Sequence, residues 1–285
     1  MLKKEIYKLA NHKLLEELRV DVGKIQLKND LTSSALFTNE FFTKTSISNR
    51  EDIILCGESF IVNFLKEKFP SLKCSSFFKD GDFVKKGSKL IELSGDVRWI
   101  LMLERTILNF LQHLSGISTY TKKFVKKLSK TKIVLLDTRK TTNGLRVLEK
   151  YATKIGGAKN HRMGLNDKIL IKDNHIKLIG GVSKTLEIIK KKKIKKFEIE
   201  CETFSEVKKC IENNCSHILL DNMSIKEIKK CLVFREKKAK KVKFEVSGGV
   251  SLDNIVHYSK LDIEYISTSK ITNSVKSVDI GLDII

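Results

Sequence analysis

The chain has 285 residues, 41% hydrophobic and 31% charged, a composition typical of a folded globular protein with one or two domains. It excludes a disordered or fibrous chain. Because 55 lysines and arginines face 34 acidic residues, the formal net charge is +21, which favours acidic ligands or a nucleic acid.

The N-terminal segment MLKKEIYKLANHKLLEEL places apolar residues at helical spacing and is predicted to be a helix. Glu5, Glu16 and Glu17 do not fit a transit peptide, and the segment lacks the continuous apolar core of a signal peptide. No apolar run in the sequence is long enough to span a bilayer. The six cysteines form no CxxC pair and no zinc-ligand spacing, which favours reduced thiols. We therefore expect a cytoplasmic protein with no membrane partner.

The segment KDGDFVKKGSKLIELSGD, residues 79–96, has the glycine spacing and apolar alternation of a tight antiparallel β hairpin. A similar pattern occurs in lipoyl and biotinyl carrier domains, but the acceptor lysine context is absent here, so a structural hairpin is favoured. The following segment, VRWILMLERTILNFLQHLSGIS, predicts a long helix with Glu104 and Arg105 in its middle. A buried ion pair is one role for these two residues. We assign residues 1–112 to an N-terminal domain.

From Lys132 onward, short apolar runs alternate with amphipathic stretches. This pattern predicts an α/β fold of parallel strands joined by helical crossovers, in either an open sheet or a barrel. We assign residues 113–267 to this domain and residues 268–285 to a C-terminal tail that can pack back on the N-terminal domain. The predicted strands are KIVLLD, KILIK, FEIEC, HILLD, KFEVS and EYIS.

Polar or charged side chains stand at the C-terminal end of nearly every predicted strand. In a parallel α/β barrel these ends meet at one rim, so the side chains would face one pocket. Glu198, Glu200 and Glu202 alternate along one predicted strand and are expected to point to the same face. The strand-end residues are Asp137, Arg139, Lys140, Lys172, Glu200, Asp221, Ser247 and Ser267.

Cations are dense between residues 135 and 176, a region whose pattern is otherwise that of buried structure. Unpaired charge is costly to bury, so this density implies an anionic substrate, with ion pairing inside the protein as the alternative for each cation. The cations are Arg139, Lys140, His161, Arg162 and Lys172.

Two lysine-rich runs, residues 190–196 and 235–243, each lie between an amphipathic segment and an apolar strand. A run in this position forms the last turn of a helix. Cations there interact favourably with the helix dipole and face water at the rim opposite the pocket. No aromatic residues interleave with the runs, as a base-stacking surface would require. The runs therefore give little support to a nucleic-acid partner.

Ser247, Gly248 and Gly249 follow a predicted strand and precede a helix predicted to start near Ser251. Backbone N–H groups and a helix N-terminus at such a position are suited to binding a phosphate group. Two glycines alone are weak evidence for this site.

Six motifs together resemble quinolinate phosphoribosyltransferase, and they span most of residues 98–267. The resemblance implies an N-terminal α/β sandwich domain joined to an incomplete parallel α/β barrel. It implies a reaction of quinolinate with phosphoribosyl pyrophosphate and Mg²⁺ that gives nicotinate mononucleotide, pyrophosphate and carbon dioxide in NAD biosynthesis. The motifs are ERTILNFLQHLSGIST, DTRKTTNGLR, GGAKNHRMGLNDKILIKDNHI, EIECET, LLDNM and EVSGGV.

The resemblance also implies a homodimer with shared active sites, in which Arg105 enters the partner's site; assembly beyond a dimer stays open. The implied substrate-binding residues supply guanidinium groups for the two carboxylates of quinolinate and further cations for the pyrophosphate. They are Arg105, Thr138, Arg139, Lys140, His161, Arg162, Lys172, Glu200 and Asp221.

Four of these residues, Lys140, Lys172, Glu200 and Asp221, are the expected catalytic set. The two carboxylates are expected to hold the ribose hydroxyls and, directly or through water, Mg²⁺. Choosing Glu200 rather than Glu198 or Glu202 depends on the resemblance.

A second phosphate loop of the family normally carries glycine, whereas this chain has Thr268, Ser269 and Lys270. Their hydroxyl and ammonium groups can still bind phosphate. A similar substitution occurs in a molybdenum-related paralogue, but that paralogue lacks the TRKTT and KDNH combination found here.

Three other functions remain as alternatives. The nearest is the same reaction with nicotinate or another aromatic acid. A Schiff-base aldolase that uses Lys172 and a basic nucleic-acid-binding protein are the others, and neither accounts for the arginine set.

Overall fold

The structure, a computed structural model, describes residues 3–285. Contacts divide the chain into two compact units. Unit 1 comprises the chain up to Lys122 together with Gly144–Gly157 and Val275–Ile285, and unit 2 comprises Lys123–Asn143 and Ala158–Ser274. The boundaries predicted after residues 112 and 267 follow the strand pattern, whereas the contacts join two later segments to unit 1.

The helices and strands alternate along most of the chain. In the described residues, no helix has both the length and the apolar character needed to cross a bilayer. The helices are α1 (Lys3–Val22), α2 (Leu31–Leu36), α3 (Glu58–Lys68), α4 (Val97–Leu128), α5 (Arg146–Ile155), α6 (Asp173–Ile179), α7 (Val182–Lys191), α8 (Phe204–Glu212), α9 (Ile225–Lys238), α10 (Ile255–Tyr258) and α11 (Lys270–Asn273). The strands are β1 (Phe42–Asn49), β2 (Ile53–Ile54), β3 (Lys73–Ser76), β4 (Phe83–Val84), β5 (Lys89–Asp96), β6 (Val134–Leu136), β7 (Leu170–Ile171), β8 (Glu198–Cys201), β9 (His217–Asp221), β10 (Lys243–Ser247), β11 (Tyr265–Ser267) and β12 (Ile280–Ile284).

Unit 1 is built on a four-stranded antiparallel sheet with the strand order β12-β1-β5-β3. Apolar residues of the helices α1, α3 and α4 share one core with the sheet; Leu14, Phe64 and Leu103 represent them and are nearly or fully buried. Sheet and helices therefore form two layers, which confirms the predicted N-terminal α/β sandwich.

The predicted hairpin over residues 79–96 is wrong, because its two strands belong to different sheets. Strand β4 pairs with β2, whereas β5 pairs with β1 and β3. Asn49 holds the turn between β4 and β5: its side-chain amide donates to the carbonyls of Val84 and Lys85, and its carbonyl accepts from Gly87. Both strands thus find partners earlier in the chain rather than each other.

The ion pair in the middle of α4 is not buried. The side chain of Arg105 is 69% exposed, and its Nη2 lies 3.5 Å from Oε1 of Glu104, which is itself 26% exposed. The role of a buried structural pair is therefore wrong for Arg105.

Unit 2 contains a six-stranded parallel sheet with the order β6-β11-β10-β9-β8-β7. Strands β7 to β11 follow one another in chain order, and β11 then pairs with β6. Among the described residues β6 and β7 do not pair, and only an isolated bridge from Leu136 to Lys159 extends the β6 edge. A parallel sheet that turns back to its first strand and stays open at one position is an incomplete barrel, as predicted.

One cation of the second lysine-rich run is part of the core of unit 2. Arg235 is 4% exposed, and its guanidinium contacts Asp262 at 2.7 Å and Glu264 at 3.1 Å. It also lies over the ring of Phe244, 4.9 Å from the centroid. The expectation that the whole run faces water is wrong for this residue, because acidic side chains before β11 pair with it.

We expect Arg235→Ala to lower the free energy of unfolding by about 2–3 kcal/mol, since it removes buried packing and the cation that pairs with Asp262 and Glu264. Lys237→Ala, an exposed neighbour on the same helix, should change it by less than about 0.5 kcal/mol. Urea denaturation of both variants measures the difference. Equal midpoints would contradict a structural role for Arg235.

Candidate active site

A cavity of about 290 Å³ lies at the C-terminal ends of the unit 2 strands. Its wall combines side chains that are far apart in the sequence, because parallel strands deliver their ends to one rim. The lining residues are Asp137, Thr138, Arg139, Lys140, His161, Arg162, Leu170, Lys172, Glu200, Leu219, Asp221, Asn222, Glu245, Ser247, Gly248, Gly249, Val250, Ser267, Thr268, Ser269 and Lys270.

Every site residue predicted in unit 2 lines this cavity. The predicted convergence of the strand ends is therefore present. Arg105, the remaining predicted site residue, lies on α4 in unit 1 and is not among the lining residues.

The buried carboxylate of Asp137 holds one wall of the cavity in place. It accepts hydrogen bonds from the side-chain amide of Asn160 at 2.6 Å and from the backbone N–H of His161 at 2.8 Å. The backbone of Lys159 adds hydrogen bonds to the end of β6. These bonds bring His161 and the next residue, Arg162, beside the segment that carries Arg139.

The imidazole of His161 has a defined orientation and tautomer. Its Nδ1 accepts the backbone N–H of Arg162 at 2.8 Å, so the ring proton of the neutral form is on Nε2. Nε2 lies 3.2 Å from Oε2 of Glu198 and 3.6 Å from Oε1 of Glu245. The ring therefore donates toward two buried carboxyl groups.

Two guanidinium groups lie close enough to repel each other. Burial and the charge of Arg139 lower the pKa of Arg162, which is 5% exposed. Nε of Arg139 is buried and has no hydrogen-bond partner among the described residues. A buried donor without a partner is unfavourable, so the geometry of this wall is suited to an anion.

Two carboxylates lie on neighbouring strands. Glu200 on β8 is 8% exposed, and Nζ of Lys172 lies 3.9 Å from its Oε2. Burial raises the pKa of Glu200, Lys172 opposes that effect, and the charge of Asp221 on β9 adds to it. A hard cation such as Mg²⁺ prefers carboxylate oxygens and would relieve this repulsion, so Glu200 and Asp221 fit the expected ion.

Glu202 does not share the face of Glu198 and Glu200. Strand β8 ends at Cys201, and Glu202 is exposed beyond it, with its backbone N–H bonded to Glu206 of α8. The prediction that all three glutamates point to one face is wrong, because the helix cap interrupts the strand.

The Gly248–Gly249 turn requires glycine at its first position. Gly248 has φ +85°, and a Cβ there would lie 2.2 Å from Oδ1 and 2.6 Å from the backbone N of Asn222. Gly249 has φ +64° but open space around it. The turn therefore lets two strand ends approach closely at the cavity.

The helix predicted to start near Ser251 begins only at Ile255 and has four residues. Asn254 explains the delay: its Oδ1 accepts from the backbone N–H of Ser251, and its Nδ2 donates to the carbonyl of Gly249. A side chain that bonds to the nearby backbone competes with helix formation. Any phosphate here would be bound by loop N–H groups rather than by a helix N-terminus.

The hydroxyl of Thr268 is already in use within the protein. It donates to the carbonyl of Val250 at 2.8 Å and accepts from the backbone N–H of Lys270 at 3.2 Å. The side chains of Ser269 and Lys270 are the more available anion ligands in this loop.

Sequence reasoning missed Glu245 and Asn222 as lining residues and His217 as a neighbour of the two buried glutamates. A signal existed for Glu245, because it alternates with Phe244 and Val246 in β10 and therefore shares the face of Ser247. His217 lies 3.7 Å from a carboxyl oxygen of each glutamate.

The chain is similar to one family of known proteins over nearly its whole length. The family profile "Quinolinate phosphoribosyl transferase, N-terminal domain" matches residues 30–115, and the corresponding C-terminal domain profile matches residues 117–283. A "Probable nicotinate-nucleotide pyrophosphorylase (carboxylating)" from Methanocaldococcus jannaschii is 39% identical, over 95% of this chain and 96% of its own. A relative of the same name from Bacillus subtilis is 36% identical, over 98% and 93%.

Solved structures agree with these relatives. The crystal structure of nicotinate-nucleotide pyrophosphorylase from Ehrlichia chaffeensis has a TM-score of 0.89 and 36% identity and covers 100% of this chain and 99% of its own. The enzyme of that name from Francisella tularensis has a TM-score of 0.86 and 34% identity, with 98% and 97% coverage.

We expect Gly248→Ala to destabilise the protein more than Gly249→Ala does. Both substitutions force a left-handed conformation, which costs about 1–2 kcal/mol, but only the first also displaces the backbone of Asn222. Urea denaturation of the two variants provides the comparison. A larger loss for Gly249→Ala would show that the close approach at Gly248 is unimportant.

Proposed function

The chain belongs to the quinolinate phosphoribosyltransferase family, and we infer that its cavity joins quinolinate to phosphoribosyl pyrophosphate. The enzyme is a pentosyltransferase. It transfers the phosphoribosyl group to the ring nitrogen and releases pyrophosphate and carbon dioxide, which leaves nicotinate mononucleotide for NAD biosynthesis. Quinolinate rather than nicotinate is the substrate, in keeping with the decarboxylating names of the relatives.

The charge arrangement of the cavity is the observation that carries this function. One wall has the cations of Arg139, Arg162 and Lys172, and the carboxylates of Glu200 and Asp221 lie in the same cavity. Quinolinate brings two carboxylates, and phosphoribosyl pyrophosphate brings phosphates together with a ribose that becomes positive as its bond breaks. The cations of the cavity can therefore bind the carboxylates and phosphates, and its carboxylates can face the positive ribose.

We assign the carboxylates of quinolinate to Arg139 and Arg162, beside which the ring of His161 lines the cavity. A guanidinium can hold a carboxylate through two parallel hydrogen bonds. The support for Arg139 is its buried, unpartnered Nε, which a carboxylate oxygen would satisfy. Thr138, which also lines the cavity, is proposed as a further substrate contact.

Bond cleavage at C1 of the ribose leaves positive charge on the ring carbon and negative charge on the departing oxygens. We propose that Glu200 and Asp221 stabilise the positive charge and hold the ribose hydroxyls. Lys140 and Lys172 neutralise the negative charge on the departing oxygens. When bound, Mg²⁺ supplies further positive charge for the pyrophosphate. The same two carboxylates would hold that ion, directly or through water.

The 5′-phosphate is proposed to bind to the loop of Ser247, Gly248 and Gly249. The positive φ values of both glycines support this, since such turns direct successive N–H groups toward one anion. Thr268, Ser269 and Lys270 form the second proposed phosphate loop, in which Ser269 and Lys270 supply the side-chain contacts.

We also propose a homodimer in which Arg105 completes the partner's site. Its support is an arginine that is 69% exposed in the middle of a largely apolar helix and lies 3.5 Å from Glu104 of the same helix. A cytoplasmic location is part of the same proposal, supported by the free thiols of all six cysteines.

The first test is release of carbon dioxide from carboxyl-labelled quinolinate. We expect release that requires both phosphoribosyl pyrophosphate and Mg²⁺, and a loss on the order of 100-fold or more in Lys172→Ala, because one of the two lysines that neutralise the leaving group is then missing. Lys177→Ala, exposed on the next helix, is the matched control and should retain full activity.

Folded protein that releases no carbon dioxide from quinolinate would contradict the proposed function. Nicotinate and other aromatic acids would then be tested with the same assay, with pyrophosphate release as the signal.

A second prediction concerns the shared site. Arg105→Ala and Arg139→Ala should each abolish most turnover without unfolding the protein. Mixing the two inactive variants should restore part of the activity, because half of the sites in a mixed dimer have both arginines. Restored carbon dioxide release after subunit exchange, followed over time, is the measurement. No recovery despite exchange proven by mass spectrometry would exclude the shared site.

A further inference from the structure

The proposed reaction needs a proton that the assigned residues do not supply. When the carboxylate leaves as carbon dioxide, its electron pair stays on ring carbon C2, and that carbon must take up one proton to give nicotinate mononucleotide. Arginine side chains do not release protons in proteins. The Nε2 proton of His161 faces away from its Nδ1 partner toward two glutamates. Lys140 and Lys172 also have protons, but we assign their positive charges to the departing pyrophosphate, and a separate acid leaves those two cations in place.

Glu245 is the lining residue whose carboxyl group the substrate contacts leave unassigned. It is 0% exposed, and neither of its carboxyl oxygens has a hydrogen-bond partner among the described residues. Its position on β10, two residues before Ser247, places it deeper in the barrel than the phosphate loop. A buried carboxyl group without hydrogen-bond partners lowers the stability of the fold. Its presence at the bottom of a polar cavity therefore favours a role in the chemistry.

Glu245 belongs to a group of four carboxyl and imidazole side chains in the barrel interior. Oε1 of Glu245 lies 3.6 Å from Nε2 of His161, and Oε2 lies 3.7 Å from Nε2 of His217. Glu198 completes the group, with its two oxygens 3.2 Å and 3.7 Å from the same two nitrogens. The two carboxyl groups thus link one imidazole to the other.

The group extends through the barrel. His161 lines the cavity at the C-terminal rim, whereas His217 is the first residue of β9, the strand that ends in Asp221 at that rim. The side chain of His217 is 26% exposed, and its ring lies against Tyr265 at 5.3 Å. One end of the group therefore faces the substrate and the other reaches solvent.

Protons rather than a metal ion occupy this group. His161, Glu198 and Glu245 have the spacing of a metal site. However, Nδ1 of His161 is the acceptor for Arg162, so Nε2 has a hydrogen and no lone pair for a metal. The carboxyl groups then reduce their repulsion by keeping a proton.

The ionisation of Glu245 agrees with this arrangement. Burial, followed by the negative charge of Glu198, raises its pKa to about 8, so the group is largely protonated at neutral pH. Burial lowers the pKa of His217; the negative charge of Glu198 opposes this effect, and His161, Lys243 and Lys168 add to it. The net shift favours the neutral imidazole, which can take a proton on one ring nitrogen while it gives one from the other.

We propose that Glu245 donates the proton that replaces the departing carboxylate at C2, and that His217 returns a proton to it from solvent at the opposite end of the barrel. This rests on the proposed function. As the C2–carboxylate bond breaks and carbon dioxide leaves, the electron pair of that bond takes the Glu245 proton in the same step. The resulting carboxylate receives a proton through His217, which takes one from water, so each turnover consumes one solvent proton.

A proton that enters at the N-terminal end of the barrel strands suits a site whose substrates fill the cavity at the C-terminal end. The nucleotide and pyrophosphate occupy the cavity at the time when C2 needs its proton, so bulk water has no free path from that side. The side chain of His217, at the start of β9, keeps 26% of its surface exposed at the other end.

The deciding experiment uses Glu245→Gln, which keeps the size of the side chain but removes its acid. In a single turnover we measure pyrophosphate and carbon dioxide separately, with excess enzyme. Pyrophosphate should form at the wild-type rate within about twofold, while carbon dioxide release slows by about 10²–10⁴-fold. Equal loss of both products, or no loss of either, would overturn the assignment.

The same assay separates this idea from the proposed function. If the wild-type protein forms neither product from quinolinate and phosphoribosyl pyrophosphate, the function itself fails. If it forms both and Glu245→Gln does too, only the proton donor fails. The pH profile adds a second signal: carbon dioxide release in the wild type should fall as the pH rises through about 8, and this fall should vanish in the variant.

His217→Phe tests the return path without touching the cavity, since phenylalanine can keep the ring contact with Tyr265. The first turnover should match the wild type, and later turnovers should slow by about tenfold or more, giving a product burst. His257→Phe, an exposed histidine on α10, is the matched control. An unchanged steady-state rate in His217→Phe would exclude this route.

Discussion

The hydrogen bonds at the open edge of the barrel determine where the site can form. Strand β6 lacks a full partner on one side, and the segment after Lys159 fills part of that gap. Asp137 fixes the segment by accepting from Asn160 and from the backbone of His161. A single buried carboxylate thus sets the positions of His161 and Arg162, and the anion-binding wall depends on it.

Two kinds of charged group lie at different depths in the barrel. Near the rim, cations are abundant and only partly paired, as the 3.9 Å separation between Lys172 and Glu200 shows. Deeper in the barrel, carboxyl and imidazole groups face one another around Glu245. The rim is suited to holding anions and the interior to holding protons. The six-stranded sheet provides both because inward-facing residues two positions apart, such as Glu245 and Ser247, lie at different depths.

The strand ends of unit 2 could be predicted from the sequence because each apolar run ends in a polar residue, and periodicity needs no knowledge of distant contacts. Two of the failures have a partner far away in the chain: Asn49 separates the two strands of the expected hairpin, and Asp262 draws Arg235 into the core. No local pattern reports such partners. The delayed helix is different, because Asn254 bonds to Ser251 and Gly249 in its own loop. Glu245 could have been predicted from the sequence, since its alternation with apolar neighbours already indicated an inward-facing carboxyl group.

The last strand affects how the protein is made. Strand β12 pairs with β1, yet the whole of unit 2 lies between them in the sequence. During synthesis the ribosome must therefore complete the barrel sequence before the sheet of unit 1 receives its fourth strand. Until then one edge of β1 has unpaired backbone groups, and such an edge can pair with other chains. The nascent chain is thus most exposed to misassembly in the interval between the emergence of β1 and the arrival of β12.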